Sequence, residues 1–147
     1  HRYRRNRVTI DVLAPDGLGS RTDLTTTPPG RTLQVPGGTQ ALERTELVPV
    51  ATATRSGHVP RPSLLGAVVG KAMAVTVDDA PNAQRLDFVF LLSLIDDPFA
   101  LTDQLTTKDR QRIGARKELI QGEHPVWNEL DPDSQDRARA ALRILTR

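Results

Sequence analysis

Residues 61–95, RPSLLGAVVGKAMAVTVDDAPNAQRLDFVFLLSLI, decide the fold class. Leu64, Leu65, Val68, Val69 and Ala72 recur at the spacing of a single helix face, so a helix begins after Pro62. A second helix is expected from Asn82 to Ile95. It is apolar on nearly every side, the pattern of a helix buried all round. The loop Val77 to Pro81 that joins them is short, which makes the two helices antiparallel neighbours.

Each helix carries one isolated charge. Lys71 is the only charged side chain between Arg61 and Asp78, and Asp87 is the only one from Leu86 to Ile95. A lone charge in an apolar segment must reach water, find a partner or face a cleft. On a helical wheel Lys71 falls at the edge of the apolar arc centred near Ala72 and Leu65, where a cleft margin would lie. An ion pair between Lys71 and Asp87, at about 4 Å or less, satisfies both charges and fixes the aim of the lysine. The bland alternative is a snorkelling lysine and a solvent-facing aspartate.

Toward the carboxy terminus two further helices are expected. Thr106 to Gln121 is ended by Gly122, and Asp131 to Leu145 starts with Asp131 as cap and Pro132 at the first helical position. Ala138, Ala141, Leu142 and Leu145 give the latter one apolar face. Arg110, Arg112, Arg116 and Lys117 read as a solvated helix face, and Trp127 as packed against the last helices.

Toward the amino terminus, HRYRRNRVTIDVL alternates Val8, Ile10 and Val12 with Thr9, Asp11 and Leu13, the period of a strand. Asp11 then stands on the face opposite three β-branched residues. His1 to Arg5 forms the preceding strand, with Arg5-Asn6-Arg7 as the turn because Asn tolerates positive φ. Ala14-Pro15-Asp16-Gly17 closes this unit as a turn. From Gly17 to Pro60 the chain is rich in Gly, Pro and Thr and reads as irregular, with short strands at Arg31 to Val35 and Leu47 to Thr54. Strands first and helices after give an α+β class. Residues 1–60 form a β region with irregular loops and 61–147 a helical bundle, together one compact unit.

Twenty Lys and Arg stand against 18 Asp and Glu in the 147 residues, a net charge of +2. That balance permits a nucleic-acid partner without demanding one. Arg2, Arg4, Arg5 and Arg7 around Tyr3 are the candidate contacts to RNA phosphates, with the tyrosine as a stacking face. The bland reading of the same residues is a solvated hairpin. With no cysteine, disulfides and thiolate metal sites are excluded, and a reducing cytoplasm fits best. The longest charge-free apolar run, Phe88 to Ile95, is far shorter than the roughly 18 residues of a membrane span, so no membrane partner is expected. The chain opens at His1 and its only methionine is Met73, so the natural start is expected upstream.

Two apparent motifs carry no chemistry. Gly66-Ala67-Val68-Val69-Gly70-Lys71-Ala72 is one residue short of a P-loop and has Ala where Ser or Thr must reach magnesium. Its glycines read instead as a close helix contact. His1, His58 and His124 are too scattered for a zinc site.

The strand VTIDVLAPDGLG, the segment PGGTQAL, the helix RPSLLGAVVGKAMAV and the helix QRLDFVFLLSLI, in that order, resemble the later part of AbiEii-type nucleotidyltransferase toxins, whose mycobacterial relatives include tRNA-modifying toxins. The resemblance spans about residues 1 to 105. It implies transfer of a nucleotidyl group from a nucleoside triphosphate to an RNA acceptor, the tRNA 3′ end, with Mg2+ as cofactor and an antitoxin protein as partner. It also implies Asp11 as a metal ligand, Lys71 as the contact to the nucleotide phosphates and Asp87 as catalytic support. Such transfer is mainly positioning and charge neutralisation.

The family's Gly-Ser element and Asp-x-Asp pair precede the strand of Asp11 and are missing from these residues. Gly19-Ser20 follows that strand, and Asp131-Pro132-Asp133 belongs to a helix start. The metal site is therefore expected to be incomplete and this chain alone inactive. The rival reading is a degenerate homologue that binds RNA or a protein without catalysis. A plain helical DNA-binding or interaction domain would instead leave Asp11, Lys71 and Asp87 scattered.

Overall fold

The computed structural model describes residues 2–25, 32–77 and 79–147. It is a mixed α+β arrangement in which small two-stranded sheets precede a helical bundle. Strands β1 (Arg2–Arg5) and β2 (Val8–Asp11) form an antiparallel hairpin, with Arg2 opposite Asp11. Asn6 takes φ 56° in the connection, as the Arg-Asn-Arg turn requires. The alternation of Val8, Ile10 and Val12 does not bury a face, however: all three are about half exposed or more. Their period is that of a strand, but among the described residues no second layer covers it.

Ala14–Pro15, expected inside a turn, forms the short strand β3 and pairs in parallel with β4 (Gln34–Val35). The β-like run seen at 31–35 thus survives as two residues, Arg31 itself lying outside the described residues. Two elements in the Gly- and Pro-rich region escape sequence reading. One is the helix α1 (Gly38–Glu43), and the other is β6 (Ser56–Pro62), which pairs antiparallel with β5 (Thr45–Ala51). Thr52 N–H donates to Arg55 O at the tip of this ribbon, and Ser63 N–H to Arg44 O at its base. The hydrogen-bonded pairs are therefore 46–61, 48–59 and 50–57. Pro49, Pro60 and Pro62 all fall in the alternate pairs, whose backbone faces outward, so no rung of the ladder is lost to a proline.

The bundle holds the core. Helix α2 (Leu64–Ala74) is capped by Ser63, whose hydroxyl accepts from Gly66 N–H, and α3 (Pro81–Ser93) starts on a proline. Short α4 (Pro98–Thr102) leads to α5 (Thr107–Gly114), α6 (Lys117–Ile120), a 3-10 turn at Pro125–Glu129 and α7 (Pro132–Leu145). Leu65, Val68, Phe88, Leu92, Ile113, Leu142 and Leu145 close one continuous core between them. Fully burying each such side chain contributes about 1.5–3 kcal/mol. No helix among the described residues is long and apolar enough to cross a membrane.

Three expectations for the bundle need correction. The helix expected over 82–95 is not buried all round: Phe90 in α3 and Leu94 at its end are 51% and 47% exposed, because α2, α7 and the 3-10 turn pack on α3 without covering these positions. The single helix expected over 106–121 is two, since Arg116 leaves the helical region at φ −84°, ψ 50°. The arginines there are not a solvated face either. Arg116 is buried, Arg112 nearly so, and the half-buried Arg110 donates to Thr102 O at 2.8 Å; only Lys117 is exposed. Trp127 is buried as expected, with the Arg139 guanidinium 4.5 Å above its ring. Asp131 caps α7 through Ser134 N–H.

Candidate functional site

The small residues of α2 shape a groove. Gly37 sits at φ 82°, a conformation glycine adopts without strain, and a Cβ there would come within 2.8 Å of the Gly70 Cα. A Cβ at Gly66 would likewise meet the Arg44 Cβ at 3.2 Å and Gln40 O at 3.4 Å. Of the two helix glycines, Gly66 therefore makes the expected close contact, with α1; a Cβ at Gly70 would meet nothing within 4 Å, and the close approach there is required of Gly37 in the facing turn instead. Between that turn and α2 lies a groove of about 260 Å3. Val35, Pro36, Ala41, Pro62, Ala67 and Ala74 make its wall apolar, and Lys71 and Gln84 supply its polar side chains.

Lys71 and Asp87 are brought together as the spacing predicts. The Lys71 ammonium lies 2.6 Å from Asp87 Oδ2 and donates to Gln84 Oε1 at 2.8 Å. Gln84 and Asp87 stand three residues apart on α3, hence on one face of that helix. The pair is more open than a buried-charge argument assumes, with Lys71 35% and Asp87 53% exposed. Its stabilising contribution is accordingly about 0.2–1 kcal/mol.

Asp11 is not part of this arrangement. Both its oxygens accept from Arg2, from Nε at 2.7 Å and Nη2 at 2.8 Å, on the exposed hairpin, and it does not line the groove. The hydrogen bonds and charge of Arg2 hold its carboxyl below the usual range. A carboxylate so engaged does not fit a magnesium site. No group of three or more His, Asp or Glu side chains that could hold a metal occurs among the described residues. Arg4, Arg5 and Arg7 stand exposed on the same hairpin with Tyr3.

The most deeply placed charge among the described residues has no sequence pattern that marks it as buried. Asp109 is fully buried, and its Oδ2 accepts from Arg44 Nη2 at 2.6 Å, from Thr106 Oγ1 at 2.7 Å and from Thr106 N–H at 3.0 Å. Arg44 also donates to Gln40 at 2.7 Å, and Arg112 approaches Asp109 Oδ1 at 3.6 Å. Burial by itself pushes the Asp109 carboxyl up, but the hydrogen bonds from Arg44 and Thr106 and the Arg44 charge outweigh it and hold the group low. Because Arg44 ends α1, this network fastens the groove wall to α5. The capping signal Thr106-x-x-Asp109 is readable in sequence; its partner 65 residues earlier is not.

Comparison with protein-family models, with curated proteins and with solved structures returns no match to this chain.

Proposed function

We propose that this chain is the nucleotide-orienting portion of an AbiEii-like nucleotidyltransferase, with Lys71 contacting the phosphates of a nucleoside triphosphate at the mouth of the groove. The observation that carries this reading is the cation itself: Lys71 is the charged side chain lining a largely apolar groove, and its ammonium is held by two side chains of α3. A fixed cation beside an apolar wall suits a ligand with a phosphate at one end and a ring at the other. Asp87 supports the site by holding Lys71. The Mg2+, its acidic ligands and the transfer to a tRNA 3′ end belong to a complete enzyme, with an antitoxin as its protein partner. This chain alone binds nucleotide without transferring it.

Calorimetric titration with each of the four ribonucleoside triphosphates tests the reading. Binding is expected in the millimolar range or tighter, and Lys71→Met is expected to weaken it about tenfold, the loss of one charge-assisted contact. Nucleotide binding indifferent to Lys71, or none at all, would refute it. Label transfer from a triphosphate to total tRNA by the 147-residue chain would refute the incomplete-site part alone.

A second reading, an RNA-binding module without catalysis, is favoured by the exposed Arg4, Arg5 and Arg7 around Tyr3. It predicts tRNA binding that weakens with salt in proportion to the arginines engaged. Removal of those three would then abolish binding while Lys71→Met leaves it intact.

A further inference from the structure

We propose that Gln84 is a positioning residue for Lys71, setting the direction in which the ammonium meets an anion in the groove; this rests on the reading of Lys71 as a phosphate contact. A lysine ammonium has three N–H donors on a flexible stem and no preferred direction of its own. Here two of them are taken, one by Gln84 Oε1 at 2.8 Å and one by Asp87 Oδ2 at 2.6 Å. Both acceptors come from one face of α3, so a single rigid helix fixes the ammonium at two points and leaves the third donor for a ligand.

The two acceptors are not equivalent. Asp87 supplies a full negative charge, is the more exposed, and does not line the groove; Gln84 is neutral and does. An incoming phosphate competes electrostatically with the Asp87 carboxylate for the same cation, whereas it has no charge-based quarrel with an amide oxygen. Gln84 is therefore the contact that persists while Lys71 engages an anion, and it determines where the freed donors point. A carboxylate at this position would repel the ligand, and an aliphatic side chain would let the lysine swing.

The test uses the full chain, inorganic pyrophosphate as probe and 15N-detected spectra of the lysine ammonium groups. Those spectra contain only Lys71, Lys108 and Lys117. In the parent protein Lys71 is expected to give a protected ammonium signal, unlike the exposed Lys108 and Lys117. Gln84→Leu should erase that signal, leave the other two unchanged and weaken pyrophosphate binding about tenfold, with the melting temperature within a few degrees of the parent. Gln84→Glu, which keeps the acceptor oxygen, should restore the ammonium signal but not the affinity.

A Gln84→Leu protein with the Lys71 signal intact overturns the proposal, whatever its affinity. So does one that binds pyrophosphate as tightly as the parent. Failure of the parent itself to bind pyrophosphate, or parent-like binding by Lys71→Met, counts against Lys71 as the phosphate contact instead. The ammonium spectra then still decide whether Gln84 aims the lysine.

Discussion

Replacing Asp109 with Ala should cost this protein a large part of its stability. The carboxylate is completely buried, while its partners Arg44 and Arg112 have side chains only 18% and 15% exposed. Removing one member of a buried ion pair leaves the other charge desolvated without compensation, at about 3–5 kcal/mol. Arg44 keeps its bond to Gln40, which places the figure toward the lower end. Thr106 loses the acceptor for its backbone N–H and hydroxyl, adding about 0.5–1 kcal/mol from the broken capping box. The sum is about 4 kcal/mol, against about 5–15 kcal/mol for a whole domain. At about 2–4 °C per kcal/mol for a chain of this size, the melting temperature should fall by roughly 10 °C.

Urea unfolding followed by the fluorescence of Trp127, the single and buried tryptophan, measures this directly. Arg61→Ala is the control. Its pair with Glu46 is nearly as short, 2.8 Å against 2.6 Å, but the side chains are 64% and 45% exposed. It should therefore change stability by less than about 1 kcal/mol. If the two substitutions prove equally mild, burial is not what gives the Arg44–Asp109 pair its weight.

The same carboxylate makes stability depend on pH. Its folded pKa lies below its unfolded one, so the stabilisation is complete above the ordinary value of about 3.9 and is lost as pH falls through the folded value. Asp109→Asn should flatten acid unfolding below about pH 4 relative to the parent in parallel melts. A residual slope will remain from Asp11, Asp16 and Asp131, which shift the same way. Gly37→Ala should destabilise by about 1–3 kcal/mol, because the alanine would hold positive φ and press its Cβ on Gly70; Gly70→Ala, with nothing near its own Cβ position, should be neutral or stabilising by up to about 1 kcal/mol. Equal melting temperatures for the two would disprove the close contact. Asp131→Ala should cost about 1 kcal/mol through loss of the α7 cap, visible as a lower urea midpoint at unchanged slope.

Local rules made some of this readable. Asp131 and Pro132 announce the start of α7, Asn6 announces a positive-φ turn, and the isolation of Lys71 and Asp87 in apolar helices announces their pairing. Each depends on neighbours within one element or across one short loop. What stayed hidden depends on distance along the chain. Arg44 and Asp109 look like ordinary surface charges until residues 65 positions apart are packed together, and the arginines of α5 and α6 look solvated for the same reason. Gln84 is silent because a glutamine on a helix has no pattern that separates a contact from a solvated side chain. Asp11 misleads in the opposite direction: its strand was legible, but strand periodicity says nothing about whether a sheet is covered or which cation stands across the hairpin.

The outward prolines of the β5–β6 ribbon bear on how this protein behaves at high concentration. A bare strand edge offers a row of N–H and C=O groups on which another chain can crystallise into a growing sheet. Along the free side of β6 the outward backbone belongs to Ser56, His58, Pro60 and Pro62, so half of the donors such growth needs do not exist. On β5, Pro49 interrupts the row between Leu47 and Ala51. The ribbon is thus made a poor seed for fibres, and replacing Pro60 and Pro62 with residues that carry a backbone N–H should make solutions of the protein more prone to gel.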